Sequence, residues 1–273
     1  MKEFEGVANT TFVPLVARIN ISKKFPDLFY DRKALELEPY LPDGAARGSF
    51  EYTDLASVAR YYNMDEMVAS FIEANAPCNV VYLGAGLESA AFRLTERLGA
   101  GKVTFYEVDL PEVIETRRAV FGENPGERLV GGDMFALKWI DAVEDASLPT
   151  IILVSGVFQY FEEAEILAFI RSLAQVFPGQ QLVFDATSTK GLAFTNWFIR
   201  RTGNKDAVMA FGMDDSAAFA ERAGAELLEE RLFFAEIRKL LGKRASLVSR
   251  VSMKNADSGK KTIILRLRLG SGK

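Results

Sequence analysis

The stretch NVVYLGAGLESAAFRLTERLGAGKVTFYEVD, Asn79 to Asp109, decides the fold. A short apolar run ends in Gly84, Ala85 and Gly86, an amphipathic segment follows, and a second apolar run ends in the acids Glu107 and Asp109. Strand, helix, strand is the repeating unit of a parallel sheet. Glycines at the first strand-to-helix turn let bare backbone approach a ligand, and a nucleoside-containing cofactor is the natural guest. The same GxG also occurs in ordinary strand-to-helix turns.

Downstream the rhythm continues through ERLVGGD, PTIILVSG and QLVFDAT, with helical segments between them. Runs such as Ile151, Ile152, Leu153 and Val154 are continuous in apolar residues, which predicts strands buried on both faces. Further on, Ala225–Phe234 and Thr262–Leu269 read as strands joined by a mostly helical excursion carrying Lys239, Lys243, Arg244 and Arg250. In the last of these Arg266 and Arg268 alternate with leucines, which suits an antiparallel closing strand. The expected fold class is therefore α/β. Upstream, from Thr11 to about Ala76, the apolar spacing is helical, interrupted by Pro26, Pro39 and Pro42. Asp54–Ala74 reads as the longest helix, with Asp54 as its N-cap. The organisation expected is an N-terminal helical extension over residues 1–76 packed on a core over 77–273, with insertions at about 188–215, read as a lid or substrate loop, and at 235–261.

Composition narrows the chemistry. The 273 residues are 49% hydrophobic, ample for a sizeable core, and 33 basic against 37 acidic side chains leave a net charge of −4. No block of like charge suggests a nucleic-acid arm. No apolar run approaches the roughly 20 residues of a membrane span. One cysteine, Cys78, and a start without a basic, apolar leader predict a soluble, cytoplasmic chain. The chain has no histidine, which removes serine–histidine hydrolases and histidine-ligated zinc sites, and no acidic cluster suggests another metal centre. The chemistry expected needs little acid–base assistance.

Candidate ligand contacts cluster where doubly wound nucleotide binders keep theirs. Glu107 and Asp109 end the second strand, where an acid meets ribose hydroxyls; Asp109 also suits a cap for a helix entered at Pro111. Asp133 beside Met134 can accept from an adenine amino group while apolar surface covers the ring, or serve as a turn residue. The third position of a dinucleotide fingerprint is Ser89 rather than Gly or Ala, which counts against a nicotinamide-dependent oxidoreductase.

The segments VYLGAGLESAAFRL, FYEVDLPEV, GGDMF and SGVFQYF, in this order and spacing between about Arg60 and Phe161, resemble the leucine carboxyl methyltransferase family. Within it, SGVFQYF, FDATSTKG and RRTGNKDA look closest to the bacterial branch of tetracenomycin-type polyketide O-methyltransferases. The resemblance implies a class I, Rossmann-like methyltransferase fold, its seven-stranded sheet mostly parallel with an antiparallel last strand. It implies S-adenosylmethionine as methyl donor and an oxygen as acceptor. It places Gly84, Ala85 and Gly86 in the cofactor loop, Asp109 on the ribose, Asp133 and Met134 around the adenine, and Arg60 on the donor's carboxylate. A guanidinium grips a carboxylate through two hydrogen bonds, although Arg60 beside Tyr61 and Tyr62 also reads as a solvated helix charge. Glu88 and Ser89 stand where the family often has Asp-Thr. Ser155, also placed at the donor, stands where the eukaryotic protein-modifying branch has a glutamate, which argues for a small-molecule acceptor.

The activity expected is methyl transfer to a carboxylate or hydroxyl of a small molecule, with an NAD(P)-dependent oxidoreductase or a catalytically silent binder of the same donor as alternatives. A carboxylate acceptor needs no base. For a phenol the candidates are Asp185, Glu107 and Tyr160, and none is singled out; Asp185 equally suits a cap after the fifth strand. Phe158, Tyr160, Phe161, Phe194, Trp197, Phe198 and Phe211 follow the fourth and fifth strands, at the rim where such sheets bind ligands, and for each taken singly a core role is the plainer account.

Overall fold

A computed structural model describes residues 9–42, 44–45, 49–99, 101–122, 124–193, 196 and 209–270. Its centre is a seven-stranded sheet in the order β3-β2-β1-β4-β5-β7-β6. The strands are β1 (Cys78–Leu83), β2 (Val103–Asp109), β3 (Glu127–Gly131), β4 (Thr150–Val154), β5 (Gln181–Thr187), β6 (Ala225–Leu232) and β7 (Thr262–Leu269). The pairs β1–β2, β1–β4, β2–β3 and β4–β5 are parallel. Strand β7 runs antiparallel to both β5 and β6, as the Arg–Leu alternation predicts.

The continuous apolar runs have a direct cause. Val80 and Tyr82 of β1 belong to one hydrophobic cluster, with Val58, Met64, Met67 and Phe71 of an N-terminal helix. Val81 and Leu83 belong to another, on the opposite face, with Ile166, Ile170 and Leu173. Alternate residues of one strand thus serve two cores, and each fully buried aliphatic side chain contributes about 1.5–3 kcal/mol.

Helices α1 (Asn9–Lys24), α2 (Arg32–Leu37) and α3 (Glu51–Asn75) precede the sheet, and α4 (Ala90–Leu98), α5 (Pro111–Phe121) and α6 (Glu163–Val176) connect its strands. Helix α7 (Ser216–Ala223) leads into β6, and α8 (Ala235–Leu241) with α9 (Leu247–Ser258) fills the excursion between β6 and β7. Helix α3 starts earlier than the sequence suggests, so Asp54 is not its N-cap. The Phe50 N–H donates to Thr53 Oγ1 at 3.1 Å, while the Asp54 carboxylate sits inside the helix and accepts from Asn20 and Ser49. Strand β6 stops at Leu232, because Phe233 and Phe234 turn inward, 3% and 2% exposed, before α8.

Most of the expected loop at 188–215, with Phe194, Trp197 and Phe198, lies outside the described residues, as does the RRTGNKDA segment. Its described ends are tied down: Asn196 and Met209 exchange two hydrogen bonds at 2.8 and 2.9 Å, and the Met213 N–H donates to the Thr187 carbonyl at 2.9 Å. No helix among the described residues is long and apolar enough to cross a membrane.

Candidate functional site

Strand order reverses between β1 and β4, whose last residues Leu83 and Val154 are register partners. The two turns that follow, Gly84–Gly86 and Ser155–Gly156, therefore leave the sheet side by side. Open α/β sheets bind ligands at such a switch point, and here the turns border a cleft of about 610 Å³.

Gly84 and Gly86 have φ of +68° and +51°, backbone that favours glycine. A Cβ on Gly84 would also stand 2.5 Å from Val157 Cγ2. Opposite the loop, the Asp109 carboxylate accepts from the Gly86 N–H through Oδ2 and from the Leu110 N–H through Oδ1, each at 2.7 Å. One lone pair on each oxygen remains. Burial pushes the Asp109 carboxyl upward, against these two hydrogen bonds. Helix α5 begins at Pro111 with no side chain capping it, so the alternative role of Asp109 as a cap is not realised.

Asp133 is exposed just beyond Gly132, whose N–H donates to the Asp109 carbonyl at 2.8 Å, and its Oδ1 accepts from the Phe135 N–H at 2.9 Å and so closes a short 3-10 turn. This is the turn role read for it in the sequence, and it leaves Oδ2 without a hydrogen bond from the described residues. Met134 is buried beside it, and Phe135 rests on Phe161 with ring centroids 4.5 Å apart. Asp133, Met134, Phe135 and Phe161 all line the cleft.

Arg60 reaches the cleft from α3. Its Nε lies 3.1 Å from Asp185 Oδ2, and Asp185 Oδ1 accepts from the Gly156 N–H at 2.6 Å. Burial is the largest influence and opposes the guanidinium's charge, but Asp185, Tyr61 and Tyr160 together outweigh it and the Arg60 pKa is raised. Asp185, a candidate base in the sequence, instead joins Arg60 to the turn after β4. Ser155 Oγ is buried without a hydrogen-bond partner among the described residues, and its residue lines the cleft.

Every sequence candidate for cofactor contact except Glu107 lines the cleft. Glu107 is fully buried in β2 between Tyr82 of β1 and Leu129 of β3, and its Oε1 is 3.1 Å from Arg117 Nη2. Burial, against the pull of Arg117, raises its pKa to about 8. Among the aromatics, Tyr160 is exposed at the rim, whereas Phe158 and Phe211 are buried in the core.

Sequence reasoning missed the contribution of α1 and of several polar side chains to the cleft. Arg18, Tyr61, Tyr82 and Glu88 line it. Arg18, 1% exposed, donates to Asp31 at 2.7 Å, and to Ser89 Oγ and the Leu87 carbonyl at 2.5 Å each. Ser89, which departs from the dinucleotide fingerprint, is thereby engaged within the protein. An arginine in the otherwise apolar run VPLVARI was the available signal.

The family model for leucine carboxyl methyltransferase matches residues 18–174, more than half of the chain. The tetracenomycin polyketide synthesis O-methyltransferase of Streptomyces glaucescens is 26% identical over 229 residues, which cover 83% of this chain and 82% of that one. Two solved structures share the fold. One, from Thermobifida fusca and described as a methyltransferase, has a TM-score of 0.59 at 15% identity over 94% of this chain and 95% of that one. A DUF574-family protein from Streptomyces avermitilis has a TM-score of 0.58 at 14% identity over 93% and 96%. With its motifs gathered around one cleft at the switch point and more than half its length matched, the chain belongs to the leucine carboxyl methyltransferase family.

Proposed function

We propose that the protein is an S-adenosylmethionine-dependent O-methyltransferase whose acceptor is a carboxylate or hydroxyl of a small molecule. The observation that carries this reading is the convergence of the Gly84–Gly86 turn, Asp109, Asp133 and Arg60 on one cleft. The residues fit the donor chemically. Arg60 offers a guanidinium to its carboxylate, Asp109 keeps a lone pair on each oxygen for ribose hydroxyls, and Met134 with Phe135 supplies an apolar wall beside Asp133 for adenine. Ser155 Oγ adds a buried hydroxyl with no partner among the described residues.

When bound, the donor supplies a methyl group activated by its sulfonium. The protein's task is then orientation and exclusion of water. A carboxylate acceptor presents its nucleophile already ionised, which suits a chain without histidine. A hydroxyl acceptor would have to release a proton at the rim, where Tyr160, Gln159 and Glu165 line the cleft. Ser155, in place of the carboxylate of the protein-modifying branch, supports a small acceptor over a protein terminus.

Calorimetry with S-adenosylmethionine, S-adenosylhomocysteine and NADH tests the donor. We expect both sulfur compounds to bind and NADH not to; saturable NADH binding alone would overturn the reading in favour of an oxidoreductase. A screen of small carboxylates and phenols with isotopically labelled donor, read by mass spectrometry, tests the transfer. Donor binding without transfer to any of them would favour a silent binding protein, and efficient labelling of a phosphatase catalytic subunit would refute the small-acceptor preference.

A further inference from the structure

Buried polar atoms that lack a partner among the described residues gather around the cleft. Tyr82 OH, Glu88 Oε2 and Ser155 Oγ are all in this condition, and their three residues share its wall. Glu88 carries the most information, because an unpartnered buried carboxylate oxygen loses its hydration with nothing in return unless a ligand supplies a donor.

The side chain of Glu88 is 94% buried, its residue being 6% exposed, and it is held from several directions. Its Oε1 accepts from the Ser89 N–H at 2.8 Å and lies 2.8 Å from Arg93 Nη2. Its backbone N–H donates to the Ala85 carbonyl at 2.9 Å, and its own carbonyl accepts from Arg117. The unfilled Oε2 is therefore not the result of a loosely held side chain. The neighbouring cations are already engaged: Arg93 with Asp31 and Asp65, and Arg18 with Asp31. The cleft wall thus presents both signs, the Arg60 guanidinium from α3 and the Glu88 carboxylate just after the glycine turn, and both lie near enough to Tyr61 to act electrostatically on its hydroxyl. That combination suits a ligand end carrying both a carboxylate and an ammonium group.

We propose that Glu88 Oε2 accepts a hydrogen bond from the α-ammonium of the donor's amino-acid end, while Arg60 holds the carboxylate. This rests on the donor reading above and makes Glu88 a determinant of selectivity for the intact zwitterion over truncated adenosyl thioethers. If Glu88 serves only to anchor Arg93 and the start of α4, removing its charge affects every adenosyl ligand alike.

Calorimetry with three ligands decides between these roles: S-adenosylhomocysteine, its des-amino analogue with hydrogen in place of the amino group, and 5′-methylthioadenosine. For the unmodified protein we expect the des-amino analogue to bind roughly 10-fold to 100-fold more weakly than S-adenosylhomocysteine, the effect of one charge-assisted hydrogen bond. Glu88→Gln should lower affinity for S-adenosylhomocysteine by a similar factor and leave the other two ligands unchanged. Equal binding of S-adenosylhomocysteine and its des-amino analogue by the unmodified protein overturns the proposal, whether or not the variant folds. So does a Glu88→Gln protein that loses all three ligands in parallel or binds S-adenosylhomocysteine as the unmodified protein does. If none of the three binds the unmodified protein, the donor reading itself falls, and the role of Glu88 with it.

Discussion

Arg60 and Asp185, on α3 and β5, form an ion pair at 3.1 Å, and the second oxygen of the same carboxylate holds the Gly156 N–H at 2.6 Å. One buried carboxylate thereby fixes both a cation that faces the cleft and the turn that borders it. A cation held in place binds a carboxylate without first losing its own side-chain freedom.

Asp185→Asn should leave a weaker, uncharged partner for Arg60. We expect affinity for S-adenosylhomocysteine to fall by about 10-fold, on the order of 1.4 kcal/mol, with little change for 5′-methylthioadenosine, which lacks the carboxylate. Comparing the two ligands by calorimetry checks the positioning role. Parallel losses would show that Asp185 supports the turn in general and not Arg60 in particular.

Gly156 tests the same arrangement from the other side. Its φ is +70°, and a Cβ there would stand 2.7 Å from Arg60 Nη1. Gly156→Ala should cost roughly 1 kcal/mol or more in stability from the left-handed backbone and displace the guanidinium. Denaturant unfolding and S-adenosylhomocysteine titration of the same preparation would read both effects. Donor affinity equal to that of the unmodified protein would mean that Arg60 accommodates the methyl group without leaving its post.

The sheet was legible because strands buried on both faces need unbroken apolar runs, and Ile151–Val154 is strand-sized, rich in β-branched residues and flanked by Pro149 and Gly156. The closing strand was legible because Arg266 and Arg268 keep a two-residue period. The cleft was legible in part, since the residues after β1, β2, β3 and β4 must meet at the strand ends. Three features were not. Asp185 and Arg60 are far apart in the chain, and no local pattern pairs them. Glu107 sits two residues before Asp109 on the same strand face, one step deeper, where neighbouring strands cover it on both sides. Asp54 suits a cap by residue type, but tertiary hydrogen bonds from Asn20 and Ser49 claim its carboxylate.

The burial of Glu107 has a consequence for stability. Its pKa rises from 4.5 to about 8, chiefly by loss of hydration, so between those values the folded chain keeps a proton that the unfolded chain has released. The stabilisation linked to that proton is complete below about pH 4.5 and is lost as pH rises through about 8. Glutamine does not titrate. The stability of Glu107→Gln relative to the unmodified protein should therefore improve steadily from pH 5 to pH 8, whatever constant offset the lost Arg117 pairing introduces. Urea unfolding at several pH values measures the difference, and parallel stability curves would refute a protonated Glu107.

Asp109 makes the sharpest distinction between binding and architecture. Its two backbone hydrogen bonds tie the glycine turn to the start of the segment leading into α5, while the lone pairs left on its oxygens are the ones proposed for the ribose. Asp109→Ala would remove both sets. Loss of one or two hydrogen bonds to a charged acceptor, each worth about 1.5–3 kcal/mol, should lower S-adenosylhomocysteine affinity by roughly 10-fold to 100-fold or more. Stability should fall by less, because Gly86 and Leu110 lie at the border of a cleft that water can enter to replace the lost acceptor. Asp109→Asn refines the test: its amide oxygen can accept one backbone N–H, but its NH2 group cannot accept the other, so part of the turn geometry survives while acceptor capacity toward the ribose is reduced. We expect the asparagine variant to retain more stability than the alanine variant while still binding the donor product weakly. Unchanged affinity in either variant, with stability lowered in both, would confine Asp109 to holding the turn and eliminate its ribose role.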